Sequence, residues 1–110
     1  MRKGIAVAGT TLVDKIYEIS AYPSSGELTQ ISKIKFSVGG CVPNTASDIK
    51  NINPDLPVYA IGRIGADSDG DYVKKTLTDF GVDVSLFVQS ETEKTSFTDV
   101  MSVVGGQRTF

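Results

Sequence analysis

Two adjacent glycines, Gly39 and Gly40, follow a run of alternating apolar and polar residues, and Pro43 and Asn44 stand at the start of a helix-like stretch. Glycine permits positive φ and lets a ligand approach the backbone closely. Pro43 suits a first helical turn, where its missing N–H costs nothing. The free N–H groups of such a helix and the amide of Asn44, which donates and accepts, suit the binding of hydroxyl groups. A plain strand-to-helix corner is an equally good interpretation of the spacing.

A second candidate is Asp14, which follows the first apolar run of the chain. In open α/β sheets, ligands bind beyond the carboxyl ends of the strands. A carboxylate at that place can accept hydrogen bonds from two sugar hydroxyls. On spacing alone, a solvated loop aspartate is the favoured interpretation.

Other chemistry finds little support in the sequence. The chain has no histidine, which excludes histidine acid–base catalysis and histidine-ligated metal within it. Cys41 therefore has no base partner, and we expect a small buried thiol. The glycine- and aspartate-rich segment 62–70 lacks the lysine of a phosphate-binding P-loop. Its aspartates are too scattered for a calcium loop, and capping of a helix by a residue within 67–69 is the favoured interpretation.

The composition is that of one globular domain, with 110 residues, 40% hydrophobic residues and a net charge of −2. Charges of both signs are interspersed, and no basic field indicates nucleic acid as a partner. The apolar run near the amino terminus is too short for a signal peptide or a membrane span. A single cysteine fits the reducing cytoplasm. We therefore expect a cytoplasmic protein without a nucleic-acid or membrane partner.

The order of predicted elements indicates an α/β fold. Short apolar runs predict buried strands, and alternation of apolar and polar residues over 33–38 predicts a strand with one solvent-exposed face. Apolar residues spaced i, i+4, i+7 predict two helices. The predicted strands are 5–9, 11–21, 33–38, 58–61, 82–88 and 95–104, and the helices contain 42–49 and 73–80. Strands alternating with helices imply parallel pairs, and the more polar strands suit an appended antiparallel sheet. A turn at Gly105-Gly106 is followed by only Gln-Arg-Thr-Phe, so we expect the front part of a larger fold.

These features together resemble the ribokinase-like, or PfkB, carbohydrate kinases. Gly39, Gly40 and Asn44 are similar to the first signature of that family, and Gly9 and Asp14 to its first strand and sugar-binding aspartate. Further similar segments are Gly26-Glu27, residues 61–85, Thr95 and residues 105–110. The resemblance covers essentially the whole chain in order and at compatible spacing.

The resemblance implies a Rossmann-like, ribokinase-type three-layer sandwich with a small β-sheet lid. Residues 1–110 would form the amino-terminal part of one such domain, with incomplete lid strands at about 11–38 and 95–110. The implied activity is transfer of the γ-phosphoryl group of ATP, with Mg²⁺, to a sugar hydroxyl. Asp14, Gly39, Gly40 and Asn44 would hold the sugar, and the lid could pair two subunits into a homodimer.

The same resemblance implies that the catalytic aspartate, in a Gly-Ala-Gly-Asp element, and most ATP contacts lie later in the chain of the relatives. We therefore expect no catalytic residue and no metal ligand within these 110 residues, and the isolated chain to be inactive and poorly stable. Leu12 stands where ribose-phosphorylating members usually carry asparagine, and Cys41 where lysine or alanine is frequent. Both departures argue against ribose and leave fructose-type sugars, keto-deoxy sugar acids, sugar phosphates and nucleosides open. A sugar-binding module without catalysis and a lid-mediated dimerisation module are the alternatives.

Overall fold

A computed structural model describes residues 3–110 as a mixed α/β chain with parallel strand pairs, as the sequence predicts. The elements are β1 Ile5–Ala8, β2 Leu12–Ile19, β3 Ile31–Gly39, α1 Cys41–Ile52, β4 Val58–Ile61, β5 Arg63–Gly65, α2 Ser68–Asp79, β6 Val88–Ser90, β7 Phe97–Val103 and β8 Arg108–Thr109. By their contacts, the residues form two units. The first contains the chain up to Val13 and Val38–Ser96, and the second contains Asp14–Ser37 and Phe97–Phe110.

The first unit holds two parallel strand pairs and both helices. β1 pairs with β4, with Ile5 opposite Val58, and β5 pairs with β6, with Arg63 opposite Val88. The apolar stripes of the helices cause them to pack on these strands. The buried core consists of Val13, Val42, Ala46, Val58, Ala60, Ile64, Val73, Leu77 and Val82.

The second unit is a four-stranded sheet in the order β3-β2-β7-β8. Ile19 and Val100 are its buried apolar residues. Tyr22 fastens the β7–β8 hairpin, because its hydroxyl donates to the carbonyl oxygens of Met101 and Gln107 at 3.0 and 2.9 Å. The hydroxyl of Thr109 donates in turn to that of Tyr22 at 3.1 Å. A short terminal strand is thus held by side-chain bonds as well as by its ladder.

Several predictions about individual strands are wrong. Residues 63–65, predicted as loop, form β5, and of the predicted strand 82–88 only Val88 is strand, as the first residue of β6, apart from a bridge between Asp83 and Tyr59. The carboxylate of Asp83 accepts from the N–H of Ser85 at 2.8 Å, which turns the chain there. β1 is mostly exposed, although a buried strand was expected. The apolar face of β3 is also open, with Ile34 and Phe36 53% and 56% exposed.

None of the helices within residues 3–110 has the length and apolar character that crossing a membrane requires.

The hydroxyl of Thr11 is the one buried side-chain oxygen or nitrogen of residues 3–110 that lacks a hydrogen-bond partner, and the residue is 5% exposed. We expect Thr11→Val to raise the free energy of unfolding by about 1 kcal/mol, because an unsatisfied buried hydroxyl is removed at nearly constant shape. Urea unfolding of the protein from its complete reading frame measures this change. Thr95→Val is the matched control, since Thr95 is 2% exposed but its hydroxyl is fully bonded. The control should be destabilised by about 1–3 kcal/mol, and equal effects of both changes would contradict the expectation.

Candidate functional site

The corner between β3 and α1 carries three of the four predicted sugar-binding residues. Gly39 is the buried last residue of β3, and Gly40 is the N-cap of α1 with φ 95° and ψ 167°. That combination of angles is essentially restricted to glycine. No side chain caps the beginning of the helix. The prediction of a glycine-dependent corner followed by a helix is thus confirmed, while its ligand stays a prediction.

Gly40 also lies against the backbone that follows β1. A Cβ at this position would lie 2.5 Å from the carbonyl oxygen of Thr10 and 3.2 Å from the Cα of Thr11. The same Thr10 oxygen accepts a hydrogen bond from the N–H of Val42 at 3.1 Å. The loop after β1 and the first turn of α1 therefore touch backbone to backbone, which only glycine permits.

Cys41 is exposed, so the expectation of a buried thiol is wrong. The residue opens α1, where its sulfur accepts a hydrogen bond from the N–H of Thr10 at 3.2 Å. A Cβ on Gly9 would lie 2.8 Å from this sulfur, and Gly9 therefore makes space for it. The thiol lies at the surface of the same corner that carries Gly40 and holds the loop after β1 against α1.

Asn44 lies in the first turn of α1 with an exposed side chain. Its N–H donates to the carbonyl oxygen of Gly40 at 3.3 Å, and no described residue bonds its side-chain amide. Because Val42 N–H is bound to Thr10 and Pro43 has no N–H, the first turn offers fewer free donors than the sequence suggested. The side chain of Asn44 is thus the main open hydrogen-bonding group of this corner.

Asp14 belongs to the second unit, whereas Gly39, Gly40 and Asn44 belong to the first. It lies within β2 and is half-buried, and its carboxylate has no hydrogen-bond partner among residues 3–110. Its position in β2 agrees with the predicted strand 11–21 and makes the solvated-loop interpretation wrong, while its role at a ligand site stays a prediction. A half-buried carboxylate without a partner is available to accept bonds from a ligand.

A cleft of about 300 Å³ lies on the second unit and is lined by Tyr17, Ile19, Thr29, Ile31, Asp99 and Met101. Two of these residues are bonded to each other, because the hydroxyl of Tyr17 donates to the carboxylate of Asp99 at 3.1 Å. Since side chains alternate along a strand, Tyr17 and Ile19 project from the face of β2 opposite to Asp14. The cleft therefore does not contain the predicted sugar-binding carboxylate.

Asp67 is the N-cap of α2, which settles the predicted capping residue within 67–69. Its carboxylate accepts from the N–H of Gly70 at 2.8 Å and from the hydroxyl and N–H of Thr95 at 2.7 and 2.9 Å. These bonds, led by the one from the Thr95 hydroxyl, hold the pKa of Asp67 below its usual value. The sequence carried no signal for the pairing with Thr95, because the two residues are distant in the chain.

No three His, Cys, Asp or Glu side chains within residues 3–110 converge to form a metal site. We assign none of these residues to Mg²⁺.

The model of the pfkB family carbohydrate kinases matches residues 3–110. A comparison with the curated proteins gives no significant match. Among solved structures, the Methanocaldococcus jannaschii nucleoside kinase, an archaeal member of the ribokinase family, is similar with a TM-score of 0.84 at 22% identity, covering 98% of this chain and 36% of that one.

Two further solved structures are similar. Arabidopsis thaliana ribokinase complexed with ribose and ATP has a TM-score of 0.82 at 27% identity and covers 99% of this chain and 35% of its own. Xylella fastidiosa fructokinase has a TM-score of 0.75 at 23% identity, and the match covers 98% of this chain and 32% of the fructokinase chain. The predicted ribokinase-like α/β fold is thereby confirmed, and the chain spans about a third of the length of these structures.

Proposed function

Because the chain belongs to the pfkB family of carbohydrate kinases, we propose that it is the sugar-binding, amino-terminal portion of an ATP-dependent kinase that phosphorylates a hydroxyl of a sugar or sugar-like molecule. Solved relatives include a ribokinase bound to ribose and ATP and a nucleoside kinase. The proposal concerns the complete protein, since this chain spans about a third of those structures.

In this proposal, Asp14, Gly39, Gly40 and Asn44 hold the acceptor. The Asp14 carboxylate accepts hydrogen bonds from two hydroxyls, and the Asn44 amide donates to one and accepts from another. Gly39 and Gly40 let the sugar ring approach the backbone. Holding the acceptor in one orientation lowers the barrier of a bimolecular transfer, because its translational and rotational freedom is lost on binding. None of these residues removes the proton from the reacting hydroxyl.

The corner Gly39–Asn44 carries the proposal. Gly40 has a backbone conformation that residues with side chains rarely adopt, and the side chain of Asn44 is exposed and unbonded. A corner that served only to turn the chain would gain from a side-chain cap, which typically contributes about 1 kcal/mol. This corner has no such cap and instead keeps a hydrogen-bonding amide free.

The second unit, with Asp14–Ser37 and Phe97–Phe110, is the proposed lid and the proposed surface for pairing two subunits. A lid would exclude water, which otherwise competes with the sugar as phosphoryl acceptor. ATP would supply the phosphoryl group and Mg²⁺ would neutralise its charge, and both would be bound outside the described residues. We propose a cytoplasmic location, in keeping with the single cysteine of these 110 residues.

The test is phosphorylation by the protein expressed from its complete reading frame, with ATP and Mg²⁺. The acceptors are D-fructose, 2-keto-3-deoxygluconate, fructose 6-phosphate, adenosine and D-ribose. We expect turnover of at least one acceptor, with ribose poor, because Leu12 has no side-chain group that could bond a ribose hydroxyl. Absence of turnover on every acceptor would refute the kinase proposal.

A sugar-binding module without catalysis is the second candidate, because the residues assigned here bind and do not react. Equilibrium binding of one of the same five compounds without any ADP formation would favour it over the kinase. Turnover would exclude it.

A further inference from the structure

The carboxylate of Asp67 does more than cap α2. Of its three hydrogen bonds, two go to Thr95, whose N–H lies 2.9 Å from Oδ2 and whose hydroxyl lies 2.7 Å from Oδ1. The Thr95 hydroxyl also accepts from the N–H of Gly65 at 2.9 Å. Thr95 is therefore bonded through both its backbone and its side chain, and it is 2% exposed. We call Asp67, Thr95, Gly65 and Gly70 the Asp67 clamp.

The clamp leaves little freedom for movement. A Cβ on Gly65 would lie 2.7 Å from the backbone nitrogen of Thr95 and 2.8 Å from the carboxylate of Asp67. A Cβ on Gly70 would lie 2.4 Å from the carbonyl oxygen of Gly65. Two glycines thus allow the end of β5, the first turn of α2 and the residue Thr95 to lie in direct contact.

The clamp connects to the strand that carries Asp14. Ser96 directly follows Thr95, and its carbonyl oxygen accepts a hydrogen bond from the N–H of Val13 at 3.0 Å. Val13 has no exposed surface and belongs to the core of the first unit. Asp14 is the next residue of the chain. A fixed Thr95 therefore fixes Ser96, and Ser96 fixes the backbone from which Asp14 projects.

We propose that Asp67 and Thr95 are positioning residues for Asp14, acting through the hydrogen bond between Ser96 and Val13. The inference rests on the proposed function for its meaning, because Asp14 is the proposed sugar-binding carboxylate. A carboxylate that bonds two hydroxyls must be held to within a fraction of an ångström, which requires support of the residues that carry it. Neither Asp67 nor Thr95 touches the sugar in this arrangement.

The first test needs no ligand and follows hydrogen exchange of single amides in the protein from its complete reading frame. In Thr95→Val, we expect the exchange of the Val13 amide to accelerate about three- to tenfold more than that of a reference amide, since its acceptor loses its support. The reference is the amide of Ala60, which donates to the carbonyl oxygen of Asp83 at 2.9 Å in the same unit and reports the general loss of stability. Thr95→Ser keeps the hydroxyl and should restore the slow exchange of Val13.

Asp83→Asn is the matched control. Asp83 bonds the N–H and hydroxyl of Ser85 as Asp67 bonds those of Thr95, but it lies beside Ala60 rather than Val13. It should accelerate exchange at Ala60 and leave Val13 unchanged. Equal acceleration of both amides in Thr95→Val, or none at Val13, would overturn the positioning role and leave a purely structural clamp.

The second test uses whichever of the five acceptors the wild-type protein phosphorylates. Thr95→Val should raise KM for that acceptor about tenfold with little change in kcat, because binding common to ground and transition states is weakened. Thr95→Ser should restore KM, and Asp83→Asn should leave it unchanged. An unchanged KM in Thr95→Val would refute the inference, even where the kinase proposal stands. A wild-type protein without turnover would refute that proposal, and the exchange at Val13 would still decide the connection between the clamp and β2.

Discussion

Gly40→Ala should abolish sugar phosphorylation by the complete protein and lower its free energy of unfolding by at least about 3 kcal/mol, through strain and overpacking together. An alanine there must adopt φ 95° and ψ 167°, which side chains disfavour. Its Cβ would also lie 2.5 Å from the carbonyl oxygen of Thr10. Relief of this contact requires the loop after β1 to move away from α1, which carries Asn44. Urea unfolding and the phosphorylation assay measure the two effects.

Gly26→Ala is the matched control, because it separates backbone strain from the close contact. Gly26 also has a positive φ of 83°, but a Cβ there would meet nothing within 4 Å. We expect a loss of only about 1 kcal/mol, which is the cost of the left-handed conformation alone. Equal losses for Gly26→Ala and Gly40→Ala would contradict the assigned contact with Thr10.

Local signals in the sequence predicted both helices well. The apolar stripes lie within α1 and α2, and Gly81 ends the second helix with a φ of 83°. The N–H groups of Gly81 and Val82 bond the carbonyl oxygens of Thr78 and Leu77, which is a Schellman end. Capping, periodicity and glycine conformation act over a few residues, and a single sequence therefore contains them.

The errors concern structure that depends on distant partners. Arg63–Gly65 is a strand because it pairs with Val88–Ser90, and nothing within a glycine-rich segment announces that pairing. The exposure of Ile34, Phe36 and Cys41 likewise depends on what packs against them. The corner of the candidate site could be predicted because a glycine pair, a proline and an asparagine lie together in the sequence. The pairing of Asp67 with Thr95 could not, since neither residue type requires the other.

The double change Asp14→Ala/Asn44→Ala should weaken binding of the acceptor that the wild-type protein phosphorylates by about two to three orders of magnitude. Hydrogen bonds to a charged carboxylate contribute about 1.5–3 kcal/mol and a neutral amide about 1 kcal/mol. Neither side chain bonds another described residue, so stability should change little. Isothermal titration with the acceptor measures the affinity, and urea unfolding measures the stability.

Asp48→Ala/Asn51→Ala is the control of equal composition, because both residues are exposed on α1 beyond its first turn. It should leave acceptor binding unchanged.

The Asp14→Ala/Asn44→Ala variant also distinguishes a sugar-binding chain from a chain whose only role is to pair subunits. If the wild-type protein is dimeric by light scattering, the variant should remain so while it loses the sugar. Unaltered affinity in the Asp14→Ala/Asn44→Ala variant would show that the corner after β3 and the carboxylate of β2 do not hold the acceptor, and a subunit-pairing role would then be favoured.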